Sequence, residues 1–318
     1  MKLKKSAILL VSSLIVTSFM TLSTAAEEPE YSNSGDWNKF RDRNVTLNVY
    51  NWGEYISVDD GENLFDTNRE FEELTGIKVN YTNFASNEEL YAKLKNGGSS
   101  YDIIIPSDYM IARMINEDML EKLDFSNIPN YSLIMDKFKG IAYDPTEEYS
   151  VPYMWGMVGI IYNTTMVDPE DDVYSWSILW NEKYANNILM FSNSRDAFAI
   201  ACKYLGYSMN TTDEQELRNA AAALTNQKLL VQAYVMDEIF DKMTGGEAAL
   251  APYYAGDAIT MIGDNPDLAY AVPREGTNLF VDAMCIPKGA KNKEAAEMYI
   301  NFMCETKPAL HNCEYIGY

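Results

Sequence analysis

The feature that most constrains the fold is an ordered alternation near the start: strand, helix, strand, helix, strand. The spacing predicts a strand at Thr46–Tyr50 and a helix around Gly61–Thr75. Leu64, Phe65, Phe71 and Leu74 give that helix a partial apolar face, and Gly76 ends it. Ile77–Tyr81 is the next strand. Ser86-Asn87-Glu88-Glu89 reads as a capping box, opening a helix that closes at Gly97-Gly98. Tyr101–Ile105 is a continuous apolar run, the pattern of a strand buried on both faces. Such an order argues for α/β layers.

After Pro145 the pattern changes. Tyr149–Asn163 contains Pro152 and glycines and reads as a bent crossover between lobes rather than a regular strand. Helices are expected at Ser194–Leu205, Asp213–Leu224, Met236–Met243 and Asn292–Cys304. Strands at Ile188–Phe191, Ala248–Ala251 and Leu268–Val272 suit a second α/β lobe.

The first residues read as an export signal: basic Met1-Lys2-Leu3-Lys4-Lys5, an apolar stretch from Ala7 to Leu22, and small residues Ser23-Thr24-Ala25-Ala26. Cleavage after residue 26 is expected, an uncleaved anchor being the alternative. Glu27 to Arg43 is polar and reads as a flexible leader. The exported part is long enough for two domains of ordinary size.

With 47 acidic against 25 basic residues, the net charge of −22 repels nucleic acid and anionic lipid and draws cations. Solubility alone explains such acidity equally well. The four cysteines are too few for a disulfide scaffold. Cys202 and Cys285 read as buried thiols, while Cys304 and Cys313 flank Pro308 and suit either a bridge or two free thiols. The one histidine, His311, and the lack of a Cys-x-x-Cys pattern argue against a zinc site and against a hydrolytic triad. No metal or other cofactor is expected.

Five apolar stretches run into an aromatic residue with a carboxylate beside it. They are Leu47–Tyr55, Asp102–Tyr109, Leu189–Phe191 followed by Asp196, Leu250–Asp257, and Leu279–Asp282. Ligands of α/β proteins sit at the carboxyl ends of strands, so these segments can converge on one pocket. Ring faces attract an organic cation and carboxylates pair it, so the chemistry is that of an amine site.

Each candidate has a plainer structural role. Trp52 and Tyr55 could pack in a core, but Asn51, Gly53 and Glu54 make their surroundings loop-like. Ser107 suits an N-cap, and Asp108 and Asp196 suit the acidic first turn of a helix. Asn193 suits a cap, and so does Asp257. Tyr253-Tyr254 with an acid after glycine is costly for a mere loop. Asp282 lies inside the apolar run Leu279–Ile286, where an ionised carboxylate needs a partner: a backbone donor, an arginine such as Arg274, or a bound cation.

These stretches resemble the spermidine/putrescine-binding proteins, the exported substrate-binding components of polyamine ABC importers. Leu47–Tyr55, Phe71–Val79, Tyr101–Ser107, Tyr149–Gly156, Pro287–Glu294 and Ile316-Gly317-Tyr318 carry the resemblance, which extends over essentially all of the chain after residue 44. It implies an α/β, two-lobed, hinged periplasmic binding protein-like fold (type II) with ligand between the lobes and no catalysis. It further implies an extracytoplasmic protein, free or tethered by its signal, and a monomer that delivers polyamine to ABC permease subunits. Lobe 1 would span 44–149, completed by 281–318, and lobe 2 would span 150–280. Because the family continues past Ile-Gly-Tyr, lobe 2 is expected to lack its C-terminal part here. The family's binding positions fall on Trp52, Tyr55, Ser107, Tyr109, Asn193, Asp196, Tyr254, Asp257, Phe280, Asp282 and Tyr318.

The chain departs from the spermidine binders at Asn193, Asp196, Tyr254 and Phe280, while Asp257 with Phe280 resembles the putrescine branch. These departures leave the amine's length open. On the expected arrangement, Asp257 and Asp282 grip one ammonium, and Asp196 with Glu54 addresses the other end or a middle nitrogen. The alternatives are an extracellular glycoside hydrolase pairing Asp257 with Asp282, or the same fold binding another small ligand.

Overall fold

The computed structural model describes residues 31–32, 35–61, 65–97 and 100–318; the expected signal lies outside them. Strands and helices alternate as β1 (Thr46–Trp52), α1 (Thr67–Thr75), β2 (Lys78–Phe84), α2 (Asn87–Lys95), β3 (Ile103–Ile104) and α3 (Asp108–Asn116). The long β4 (Ser150–Asn163) leads to β5 (Ile188–Phe191), α4 (Ser194–Tyr204), α5 (Glu214–Gln227), β6 (Val231–Val235) and α6 (Ile239–Thr244). Then come β7 (Leu250–Tyr254), α7 (Ala255–Asp264), β8 (Leu268–Ala271), β9 (Leu279–Cys285), α8 (Lys293–Met303) and α9 (Thr306–Ile316).

Local chemistry sets the early boundaries. Asp66 accepts from the Arg69 amide at 2.9 Å and starts α1 six residues later than Gly61, and Gly76 closes it at φ 75°. Ser86 accepts from the Glu89 amide, while the Glu89 carboxylate reaches back to the Ala85 amide. Alternate side chains of β1 face opposite ways. Leu47 and Val49 pack with Phe71, Ile77, Ile105 and the α8 residues Tyr299 and Ile300, whereas Tyr50 packs with Phe84, Leu90, Ile104 and Met110. Ile103, Ile104 and Ile105 are fully buried, as a strand covered on both faces requires.

β2, β1 and β3 are parallel, and β9 joins β3 antiparallel. β4 then belongs to two sheets. Its first half pairs with β9 from Ser150↔Cys285 to Met157↔Leu279, and its second half with β7 and β8. The expected bent crossover is therefore a strand throughout, with a register shift between Pro152 and Met154. β7, β5 and β6 complete the second sheet, over a core built around Trp176, Leu189, Leu250 and Met261. Two lobes result, joined where β4 and β9 pass between them.

Two further expectations change, and one alternative left open is decided. The described part of the expected leader is packed, because Trp37 and Phe40 bury their rings against the α8 side of the first lobe. β6 and α9 were not anticipated. Cys304 and Cys313 are both free thiols, as are Cys202 and Cys285.

Candidate functional site

Between the lobes lies a cavity of about 810 Å³, and all eleven candidate residues line it. β1 ends at Trp52, two residues later than expected, and delivers Gly53 and Tyr55 to the cleft. Glu54 holds a left-handed backbone at φ 48°, sparsely populated for a non-glycine residue. α3, α4 and α7 each follow a strand and place their first turns, with Asp108, Asp196 and Asp257, at the cavity. Phe280 and Asp282 come from β9, and Tyr318 follows α9.

Asp282 is 4% exposed. The Tyr55 hydroxyl donates to its Oδ2 at 2.8 Å, while its buried Oδ1 has no hydrogen-bond partner among the described residues. Burial raises its pKa to about 7 against the opposing pull of Ser107 and Tyr55; the negative charges of Asp108 and Asp196 add to the rise. Arg274 is not its partner, since that guanidinium grips Asp172 at 2.8 Å on the surface. Ser107 occupies the N-cap position of α3 but makes no side-chain cap. Its hydroxyl instead accepts from Asn87 Nδ2 at 3.0 Å.

Asp196 is well furnished with donors. Tyr254 Oη and Asn193 Nδ2 donate to its Oδ2 at 2.7 and 2.8 Å, and Asn278 Nδ2 to its Oδ1 at 3.2 Å. Burial still lifts its pKa above the usual carboxylate range. Asn193 also caps α4 by accepting from the Arg195 amide, so its structural and site roles coexist.

Asp257 stands apart. Among the described residues its one side-chain donor is the Tyr318 hydroxyl, at 3.3 Å. Burial raises its pKa to about 8 against that donor, helped by the negative charges of Asp237 and Glu54. The cap role considered for Asp257 is not filled, because Tyr254 holds the N-cap position of α7.

The charges that each acid feels divide differently from the expected pairing. Asp282 groups with Asp196 and Asp108, while Asp257 groups with Asp237 and Glu54. Rings connect the two acidic poles: Tyr55 meets Tyr318 at 5.5 Å, Tyr318 meets Phe280 at 6.2 Å, and Phe280 meets Tyr254 at 5.3 Å between centroids. Trp52 packs on Phe84 at 4.5 Å, and Tyr109 donates to Glu88 at 3.0 Å.

The lobes approach too closely for side chains at Gly256 and Gly317. A Cβ on Gly256 would lie 2.2 Å from the Tyr318 ring, and one on Gly317 2.6 Å from the Gly256 carbonyl oxygen. Gly317 also adopts φ 77°, which turns the chain at the end of α9 and sends Tyr318 into the cleft.

Sequence reasoning missed Asp237, Asn278 and Arg195, all of which line the cavity. Asp237 had a signal, since it follows β6 as the other acids follow their strands. Arg195 and Asn278 carried none: Arg195 meets Tyr109 only across the lobes, and Asn278 meets Asp196 only through the fold of its own lobe.

Residues 68–318 match the model of the bacterial extracellular solute-binding proteins. The chain is 36% identical over 276 residues to the spermidine/putrescine-binding periplasmic protein of Salmonella typhimurium, covering 86% of this chain and 77% of that one. Against the protein of the same name from Escherichia coli the identity is 36%, with 87% and 78% covered. Among solved structures, the spermidine/putrescine ABC transporter substrate-binding protein PotD from Streptococcus pneumoniae is 40% identical, with a TM-score of 0.70 over 86% of this chain and 82% of that one. A two-lobed fold, an interlobe cleft and these matches together make this chain a member of the bacterial extracellular solute-binding protein family.

Proposed function

We propose that the protein binds a polyamine of the putrescine–spermidine class outside the cytoplasmic membrane and hands it, as a monomer, to the permease of an ABC importer. The observation that carries this reading is the cavity itself, where buried Asp282 and Asp196 and half-buried Asp257 are connected by aromatic rings. One ammonium would sit at Asp282 and Asp196, with Asp282 Oδ1 free to accept from it. Another would sit at Asp257, near Asp237 and Glu54. Trp52, Tyr55, Ser107, Tyr109, Asn193, Tyr254, Phe280 and Tyr318 would line the path between and around them. The lobe limits that accompany this reading are 44–149 with 281–318 for the first and 150–280 for the second.

Magnitudes put the weight on charge. Burying four methylenes gives roughly 3 kcal/mol at about 0.8 each, whereas micromolar affinity needs about 8. Ion pairs and cation–π contacts must supply the remainder. Contacts from both lobes would favour the closed form, which a permease can recognise.

Membership of a solute-binding family gives the chain a binding and not an enzymatic role, which retires the glycoside hydrolase alternative. The relatives' names, spermidine/putrescine-binding, support the amine class. Calorimetric titration with putrescine, cadaverine, spermidine and spermine tests it. Saturable one-site binding is the expected result, and no heat with any of the four sinks the reading.

A further inference from the structure

The cavity of a chain this acidic holds one basic side chain among its described lining residues, Arg195. Its position does not help the helix that carries it. Arg195 is in the first turn of α4, where the helix dipole favours anions such as its neighbour Asp196. The guanidinium instead reaches across to the other lobe and lies over the Tyr109 ring, 4.0 Å from its centroid. The Tyr109 hydroxyl donates to Glu88 at 3.0 Å. Two carboxylates, Asp108 and Asp196, feel the Arg195 charge.

An aromatic face flanked by carboxylates is the composition from which the amine seats of this cleft are made. Arg195 therefore stands in a seat of that kind. Size does not explain which amines fit, because about 810 Å³ is ample for a long, slender chain. Charge does. A further ammonium extending past Asp196 towards Tyr109 would meet the positive charge that already lies over that ring.

We propose that Arg195 is a resident cation that occupies the Tyr109 seat, so that the cleft favours amines with two charges over those with three or four. This rests on the amine-binding reading above and adds the residue that sets chain length. Arg195 acts by occupying space and charge, and an amine able to displace it would have to repel or swing it out.

The test is calorimetric titration of 1,4-diaminobutane, spermidine and spermine into the parent, Arg195→Met and Arg195→Lys, at one fixed ionic strength. Arg195→Met keeps a long side chain and removes the charge. The expected result is a gain of about tenfold in spermine affinity relative to diaminobutane, the size of one like-charge contact near 4 Å at a partly solvated site. Arg195→Lys, which keeps the charge, should retain the parent's order of preference. An unchanged ratio in Arg195→Met overturns the proposal. So does equal tightening of all three amines, which would mark a general charge effect, and so does a Lys variant that behaves as the Met one. A parent that binds none of the amines overturns the functional reading and this inference with it, whereas a parent that binds them with an unmoved ratio overturns this inference alone.

Discussion

The two acidic poles of the cleft are built to different standards. At the first, Asp196 accepts from three side-chain donors and Asp282 from Tyr55. At the second, Asp257 has one side-chain donor at 3.3 Å and lies near two further acids. Donors stabilise a carboxylate's charge, and burial opposes it. The first pole is accordingly pre-organised around a partly paid-for charge, with its deficit concentrated on Asp282 Oδ1. The second leaves neutralisation to protons or to a bound cation. A cleft so arranged can hold one end of a ligand firmly and the other loosely.

The sharpest way to break this contrast is to remove each acid in turn. Asp282→Asn leaves an ammonium beside a neutral amide in a buried place, a loss on the order of 3–5 kcal/mol and so a hundredfold or more in affinity. Asp257→Asn, at a half-buried position, should cost less, about tenfold. Calorimetry that ranked the two the other way would reverse the roles of the poles.

Proton linkage sharpens the contrast next. Without amine, the folded protein holds protons on Asp282 up to about pH 7 and on Asp257 up to about pH 8. A bound ammonium requires both acids ionised, so affinity should rise with pH through this window and level off above it. In Asp257→Asn the rise should end near 7. Titrations at pH 6.5 in buffers of different ionisation enthalpy would report proton release on binding, and its absence would contradict the assignment.

The same groups bear on stability with the opposite sign. Their folded pKa values lie above the unfolded value near 3.9, so the folded state binds more protons in between and loses stability as pH rises from about 4 to 8. Asp257→Asn should therefore raise the melting temperature of the amine-free protein by a few degrees at pH 8 and by less at pH 5. An equal gain at both would attribute the effect to packing rather than charge. The smallest expected signal is optical. Trp52 lines the cavity against Phe84, so saturation with putrescine should quench or shift its fluorescence. A Trp52→Phe variant should lose that component of the change.

What was legible in the sequence follows from what sequence can encode. Period and caps are local, so β1 to α3 could be read within a few residues, down to the Ser86 box. β6 was missed because Val231–Val235 is five residues long and follows directly on the apolar pair Leu229-Leu230 just after α5. α9 was missed because Pro308 reads as a stop, although proline is tolerated in a first turn, where the amides lack helical acceptors. The eleven site positions came from family resemblance and from acids after strands, and the cavity gathers them all. Which acid opposes which was not legible. That depends on how two lobes meet, which sets Asp282 near the charges of Asp108 and Asp196, and Asp257 near those of Asp237 and Glu54.

Finally, the dual membership of β4 and the return of β9 dictate an order of assembly. The first lobe's sheet needs β9 and its core needs α8, both of which come after the whole of the second lobe in the chain. Its opening strands must wait, unsealed, while the stretch between them and β9 can already condense. Long-range closure is the slow kind, so pulse-labelled amides of β5 and β7 should become protected before those of β1 and β3. The part of the molecule made first is then the last to lock.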